Sequence, residues 1–245
     1  LNTMEQEAFG RWLSSWIARA GKNAMDKGRY VEMLDELMNT MSDNLGIQLD
    51  INLKLAEFCR ENAMPEKAKT YVQKTGVIAE DSWLILGPFD NTKGVGYGTA
   101  YIAENATQID TTAKYDGVDG QISWQRSTDD TLNGFIDLGQ DVNWRVAYAF
   151  VTVTSPDERE AQIRFDSDDQ GKVFLNGKEV FTNTGAHSVR IDRYTIPVTL
   201  KPGENSVLVK VCNEEVNWEF YLRITDPDGK PFTDLKISSP DPESH

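Results

Sequence analysis

Apolar residues recur at intervals of three and four along the first part of the chain, up to about residue 80. This spacing gathers them on one face of a helix, as in amphipathic helices that pack on a core. Gly28 and Gly46 interrupt the pattern, and Pro65 opens its last stretch, where a helix begins without losing a needed N–H donor. We therefore predict four helices in two hairpins. Their apolar faces comprise Phe9, Trp12, Leu13, Trp16, Ile17 and Ala20; Met33, Leu34, Leu37, Met38 and Met41; Ile51, Leu55, Phe58 and Cys59; and Ala68, Tyr71 and Val72.

The period of the apolar positions changes to two from Trp83 onward, and short turns separate the alternating stretches. Many short strands with regular turns are typical of an antiparallel sandwich or barrel. We place the boundary near Gly76, which gives a helical region at 1–78 and a β-sandwich at 79–245, an α+β chain. The predicted strands are Trp83–Leu86, Gln121–Trp124, Gly134–Leu138, Arg145–Thr154, Ala161–Phe165, Lys172–Leu175, Glu179–Thr182, His187–Ile191, Tyr194–Leu200, Ser206–Asn213 and Glu219–Thr225.

One short stretch, "SDDQGKVFLNGKEVF", combines an acidic segment with a hairpin. Asn176-Gly177 between two apolar runs predicts a tight turn, because both positions need a positive φ. The acidic segment before it has two interpretations. Aspartate and glycine are favoured in a bend for local reasons alone. Alternatively, Asp166, Asp168 and Asp169 converge on calcium, which takes six to eight oxygen ligands. That shell would need further ligands from another loop, such as Asp90, Asn91 or Asp192.

Two tryptophans are candidates for sugar recognition. Trp144 and Trp218 each follow an asparagine and precede a predicted strand, which places them at the ends of the sandwich. The apolar face of a sugar ring stacks on an exposed aromatic ring. The alternative is that each ring fills the core or seals the contact between helices and sandwich. Trp83, directly after the boundary, favours the latter role.

The segment "AQIRFDSDDQGKVFLNGKEVF", followed by "TIPVTLKPGENSVLVKVCNEEVNWEFYLRI", resembles the galactose-binding-like jelly roll. It is especially similar to the sugar-binding accessory domain of β-galactosidase-type glycosidases. The matching positions are 173–178, 200–205 and 207–211, within a similarity that covers about residues 145–225. The resemblance implies a jelly-roll sandwich, but it does not imply one ligand, since many members of that family serve as spacers.

Two further resemblances bear on ligands and context. "SDDQGKVFLNGKEV" is similar to the anthrax-protective-antigen-like lectin module, whose paired aspartates hold calcium that in turn takes sugar hydroxyls. The resemblance implies that role for Asp168 and Asp169. "LAEFCRENAMPEKAKTYVQKTG" resembles the end of a tetratricopeptide repeat. Helical repeats before a sandwich that opens on "WLILGPFDN" resemble a unit of large extracytoplasmic bacterial proteins.

Composition narrows the classes of function. The formal net charge of −14 argues against a nucleic-acid partner, whose phosphates require clustered Lys and Arg. The two cysteines, Cys59 and Cys212, lie far apart, and we expect buried free thiols rather than a disulfide between the two regions. With only two histidines, neither a zinc site nor a Ser–His or Cys–His catalytic pair is indicated. No apolar run reaches the length of a membrane span.

The sequence therefore favours a non-catalytic carbohydrate-binding or accessory module of a larger, secreted or periplasmic bacterial protein. Its expected partner is a polysaccharide or glycan, with calcium as the candidate cofactor. The alternative is a structural scaffold without a sugar ligand, in which the helical region recruits a protein partner. The methionines at 33, 38 and 41 belong to an adaptable peptide groove or to ordinary core packing. An enzyme fragment is a third hypothesis, since paired carboxylates occur in so acidic a chain.

Overall fold

The structure is a computed structural model that describes residues 12, 15, 19–21, 23–24, 26–41, 45–128, 134–140 and 142–241, with the backbone alone at 37–41 and 140. Part of the predicted helix faces falls outside this description. Phe9, Leu13, Trp16 and Ile17 lie outside the described residues, as do the side chains of Leu37, Met38 and Met41.

Among residues 26–82 of the described chain, three α-helices precede the strands: α1, Lys27–Met41; α2, Leu45–Glu61; and α3, Pro65–Gln73. Pro65 stands in the first turn of α3, as its missing N–H predicts. The predicted apolar faces of the last two helices are buried and thus confirmed: Ile51, Leu55, Phe58 and Cys59 in α2, and Ala68, Tyr71 and Val72 in α3. Met33 of α1 is 48 % exposed and lies outside the core. The hairpin arrangement and the likeness to tetratricopeptide repeats stay predictions.

The described residues after Ser82 form thirteen strands, a 3-10 turn at Thr92–Gly94 and one short α-helix, α4, at Val95–Gly98. The strands are β1, Leu84–Asp90; β2, Lys114–Gly117; β3, Gly120–Ser123; β4, Gln125–Arg126; β5, Phe135–Gln140; β6, Arg145–Ser155; β7, Arg159–Asp168; β8, Gln170–Leu175; β9, Lys178–Asn183; β10, Tyr194–Leu200; β11, Gly203–Asn213; β12, Asn217–Thr225; and β13, Lys236–Ser238.

Two antiparallel sheets face each other and confirm the predicted β-sandwich. The larger sheet has the order β4-β1-β6-β11-β8-β9, with β13 also paired to β6, and the smaller has the order β10-β7-β12-β5. Alternate residues of both sheets meet in one core, since side chains of a strand point to opposite faces in turn. That core includes Ala149 and Val151 of β6, Ile163 and Phe165 of β7, Val209 and Val211 of β11, and Phe220 and Leu222 of β12.

Two predictions about the strands are wrong. Residues 187–191 form a loop rather than a strand, because Arg190 N donates to Asp166 Oδ2 at 2.7 Å and the apolar side chains Val189 and Ile191 pack toward the helices. The strand predicted to end at Phe165 also has the wrong bounds, because the predicted bend is confined to Asp169. Strand β7 continues to Asp168, and Asp169 alone separates it from β8.

The helices pack on the outer face of the smaller sheet. Tyr221 of β12 is fully buried in a cluster that otherwise consists mainly of helix side chains, and Phe135 of β5 packs against that cluster. The connecting segment, residues 76–82 between α3 and β1, pairs directly with β12. Ile78 N donates to Leu222 O, and Ile224 N donates to Gly76 O. This backbone pairing fastens the helical region to the sandwich.

Arg223 reinforces this joint from β12. Its side chain is 4 % exposed, donates to Thr75 O at 3.0 Å, and pairs with the carboxylate of Asp192 in the loop before β10. A second arginine, Arg164, reaches the same carboxylate at 3.1 Å. Asp192 is therefore a structural acceptor, which removes it from the calcium ligands considered above.

Replacing Gly76 with alanine should destabilise the protein. Gly76 has a φ of +74°, and an added Cβ would lie 2.6 Å from Ile224 O. The left-handed conformation and the clash together should lower the free energy of unfolding by about 1–3 kcal/mol. Gly203→Ala is a matched control, because Gly203 has a φ of +82° with no atom within 4 Å of an added Cβ. Urea denaturation would measure both variants, and equal losses would contradict the proposed role of the close approach.

The long connection between β1 and β2 and the β2–β3 hairpin cover the outer face of the larger sheet. Ile102 and Trp124 pack there against Leu86, Tyr148 and Phe150 of the sheet.

Lys210 of β11 holds this layer in place, although its side chain is only 1 % exposed. Its Nζ donates to Thr99 O at 2.6 Å and to Glu104 Oε1 at 2.9 Å, and Tyr148 OH donates to the same oxygen at 2.5 Å.

The described residues also bear on the state of the two cysteines and on membrane-spanning helices. Cys59 and Cys212 are both buried free thiols, as expected. In the part of the chain that the structure describes, no helix combines the length and the apolar character required to cross a membrane.

Candidate functional site

Three turns meet at one end of the sandwich and form the candidate site. Asp169 lies between β7 and β8, Glu214 lies between β11 and β12, and Trp144 precedes β6. Glu214 N donates to Asp169 Oδ2 at 2.7 Å, and Trp144 N donates to Glu214 O at 2.9 Å. These two bonds link the Asp169 side chain to the backbone of Glu214 and, through it, to the backbone of Trp144, so the predicted acidic and aromatic residues lie in neighbouring turns.

Two asparagines tie these turns together. Asn91 donates from Nδ2 to Asn213 O at 2.9 Å and accepts from Gly96 N at 3.0 Å, so both ends of its amide are used. Asn213 donates from Nδ2 to Val142 O at 2.7 Å. Its Oδ1 is buried and has no hydrogen-bond partner among the described residues. Asn91 is thus structural, whereas Asn213 offers an oxygen ligand that the sequence did not single out.

The acidic pair is almost entirely buried. Asp168 is 6 % exposed and Asp169 is 8 % exposed, and the peptide bond between them is cis. The Asp168 carboxyl group shares a side-chain hydrogen bond with the carboxyl group of Asp169, and it forms no ion pair with a basic side chain of the described residues. Burial, followed by the neighbouring charge of Asp169, raises the pKa of Asp168 to about 7. This carboxylate is therefore placed where a bound cation would stabilise its ionised form.

The other acidic candidates have structural partners. Asp166 is fully buried, and its Oδ2 accepts from Arg193 Nε at 2.6 Å in addition to Arg190 N. Asp90 accepts from the backbone and hydroxyl of Thr92. The second oxygen of Asp166, Oδ1, has no hydrogen-bond partner among the described residues but lies 3.8 Å from His187 Nδ1, so we do not retain Asp166, or Asp90, among the candidate ligands. No cluster of three His, Cys, Asp or Glu suited to a metal is found among the described residues. A cation here would depend on the Asp168–Asp169 pair and on oxygens of other kinds.

The two tryptophans occupy different environments. Trp144 is partly exposed and adopts a φ of +56°, which is unusual for a bulky residue. Its backbone is fixed on both sides, because its carbonyl accepts from Asn91 N at 3.0 Å. Trp218 instead is 3 % exposed, lies in the sandwich core, and donates from Nε1 to Val211 O at 3.4 Å. Trp144 thus remains available for stacking, and Trp218 is a core residue.

Asp168→Asn should flatten the pH dependence of stability in the metal-free protein. The pKa of Asp168 in the folded state lies above its ordinary value near 3.9. The folded protein therefore binds more protons than the unfolded chain between about pH 4 and pH 7, and stability falls as the pH rises through this window. Urea denaturation across that range, in the presence of a chelator, would test this. An equal slope for wild type and variant would contradict it.

Comparisons with known proteins identify only distant structural neighbours. No family model matches the chain, and no curated protein matches it. A β-glucosidase from Kluyveromyces marxianus in complex with glucose is 13 % identical, with 62 % of this chain and 18 % of that chain covered and a TM-score of 0.35. The PA14 domain of the MpAFP antifreeze protein is 10 % identical, with 69 % and 98 % covered and a TM-score of 0.37.

A third neighbour is a member of glycosyl hydrolase family 2 from Bacteroides cellulosilyticus. It is 14 % identical, with 60 % of this chain and 20 % of that chain covered and a TM-score of 0.36. The chain thus spans about a fifth of the length of each of these two glycosidases. Similarity at this level assigns neither a family nor an activity.

Proposed function

We propose that this chain is a non-catalytic carbohydrate-binding accessory module that recognises a glycan through a cation held at the Asp168–Asp169 end of the sandwich. The observation that carries the proposal is the pair of carboxyl groups of Asp168 and Asp169, which are both nine-tenths buried, share a hydrogen bond, and have no basic side chain of the described residues in an ion pair with Asp168. Burying an unpaired charge is costly, so such a group calls for a counter-charge.

The donor set fits a hard cation such as calcium. Asp168, Asp169 and the unpartnered Oδ1 of Asn213 supply oxygen atoms, the ligand type that calcium prefers. Calcium takes six to eight such ligands, which leaves positions for water and for the hydroxyls of a sugar. Trp144, connected to Asp169 through Glu214, supplies an aromatic face for the sugar ring.

A site of this kind also supports a secreted or periplasmic location. Few protein ligands give weak calcium affinity, and extracellular modules bind calcium with dissociation constants of about 10⁻⁴ to 10⁻³ M. Such a site fills only where calcium is abundant.

Calcium should raise the melting temperature of the wild-type protein by mass action, because only the folded state assembles the site. Asp168→Asn should abolish this shift. Asp116→Asn is the control, since it removes the same charge from an exposed position in the β2–β3 hairpin. Absence of a calcium-dependent shift in wild type, or an equal shift in Asp168→Asn, would refute the cation site.

Glycan-array binding with and without calcium would test whether the module recognises a glycan through the bound cation. Trp144→Ala should weaken binding about tenfold, equivalent to about 1.4 kcal/mol, while the free energy of unfolding changes by less than about 1 kcal/mol. Binding that persists unchanged in a chelator, or in Trp144→Ala, would place sugar recognition elsewhere.

A second candidate function is that of a scaffold without a sugar ligand. The observation that favours it is the pairing of the connecting segment with β12, which fixes the helices on the sandwich. In this alternative the helical region recruits a protein and the sandwich acts as a spacer. Failure of every glycan to bind, together with a calcium-insensitive melting temperature, would favour it.

A further inference from the structure

A cleft of about 850 Å³ lies where the helical region meets the sandwich. One wall is α3, the floor is the connecting segment at 76–82, and the other wall is the segment 232–237, which ends in β13. Its volume is in the range of sites that enclose ligands, about 300–1,000 Å³. The cleft is separate from the Asp168–Asp169 end, with which it shares no lining residue.

The lining of the cleft combines an apolar surface with more basic than acidic side chains, namely Arg60, Lys69, Lys74 and Lys236 against Glu80 and Asp81. Val72, Ile78, Phe232 and Leu235 supply apolar contact area. Lysines occupy both walls: Lys69 on α3 and Lys236 on β13 are exposed and form no ion pair within the described chain. Two unpaired cations facing one cleft are notable on a chain of net charge −14, and they favour an anionic ligand with apolar groups.

The backbone of both the floor and the β13 wall favours an extended peptide. Strand β13 pairs with β6 alone among the described strands, so it is an edge strand. Val77 of the floor likewise forms a single isolated bridge, with Arg223. An edge strand offers N–H and C=O groups to an added strand, while neighbouring pockets take alternate side chains.

We propose that this cleft binds an extended acidic peptide segment of a partner protein, with carboxylates at Lys69 and Lys236 and an apolar side chain between them. The proposal is independent of glycan binding.

Fluorescence anisotropy with a labelled peptide would test it directly. The probe is an acetylated peptide with two glutamates on each side of a Leu-Phe pair, and its controls carry serine or lysine in place of every glutamate. Wild-type protein should bind the acidic probe at least about tenfold more tightly than either control peptide. Raising the ionic strength from about 0.05 M to about 0.5 M should weaken this binding by screening the charges.

The decisive variant is Lys69→Glu with Lys236→Glu, which should weaken acidic-probe binding at least about tenfold. Its matched control, Lys114→Glu with Lys178→Glu, changes the net charge equally at exposed lysines outside the cleft, and it should bind as wild type does. Unchanged melting temperatures would verify that both proteins are folded. Equal losses in the two double variants, equal binding of the three peptides, or no binding by wild type would overturn the proposal. Trp144→Ala and Asp168→Asn should leave peptide affinity unchanged. The peptide-binding proposal and the glycan-binding proposal can therefore be refuted independently of each other.

Discussion

Trp218→Ala should lower the free energy of unfolding by about 3–5 kcal/mol, the usual cost of truncating a buried tryptophan. Its ring lies between the two sheets at 3 % exposure, together with Phe220 and Leu222 of the same strand. Truncation would leave a cavity that a closely packed core cannot fill. Urea denaturation monitored by circular dichroism would measure the loss.

Trp144→Ala is the matched variant, because it removes the same side chain from a partly exposed position. Its backbone φ of +56° also costs less for a smaller residue, so we expect a change within about 1 kcal/mol. A large loss in both variants would place both rings in the core. A small loss in Trp218→Ala would contradict its described environment.

Lys210→Ala should cost about 3–5 kcal/mol, because it breaks a buried ion pair from one side. The Glu104 carboxylate would lose its cation, and Thr99 O would lose a donor at 2.6 Å. Since Lys210 ties the covering connection to β11, limited proteolysis should also cut residues 95–104 faster in the variant. Denaturation and the protease time course together would measure the two effects.

Two controls separate this role from simple loss of charge. Lys54→Ala removes the exposed partner of Glu57 in α2 and should cost less than about 1 kcal/mol. The double variant Lys210→Met with Glu104→Gln should cost less than the sum of its single changes, because it removes both charges of the pair. Additive losses would show that Lys210 and Glu104 do not act together.

Features set by neighbouring residues were predictable from the sequence. The turn at Asn176-Gly177 is present, with φ values of 53° and 77°, because its requirement is local. The strand Tyr194–Leu200 has the predicted bounds. The strand predicted at 187–191 failed because its conformation depends on Asp166, distant in sequence, which holds Arg190 N and Arg193.

The candidate site was predictable only in part. Asp168, Asp169 and Trp144 lie at one end of the sandwich, but their connection through Glu214 depends on which turns meet in the fold. The burial of Trp218 did have a sequence signal, since it alternates in phase with the apolar residues Phe220, Leu222 and Ile224. Asn213 had no such signal, because an unpartnered side-chain oxygen is visible only when its surroundings are known.

The layers outside the sheets also limit where recognition occurs. With helices over Tyr221 on one side and the connection held by Lys210 on the other, broad areas of both sheets are withdrawn from solvent. Strand ends and the seams between layers are then the places where side chains meet other molecules. Sequence changes that retarget this protein should accordingly accumulate in turns and along the seams, while the middles of strands stay apolar.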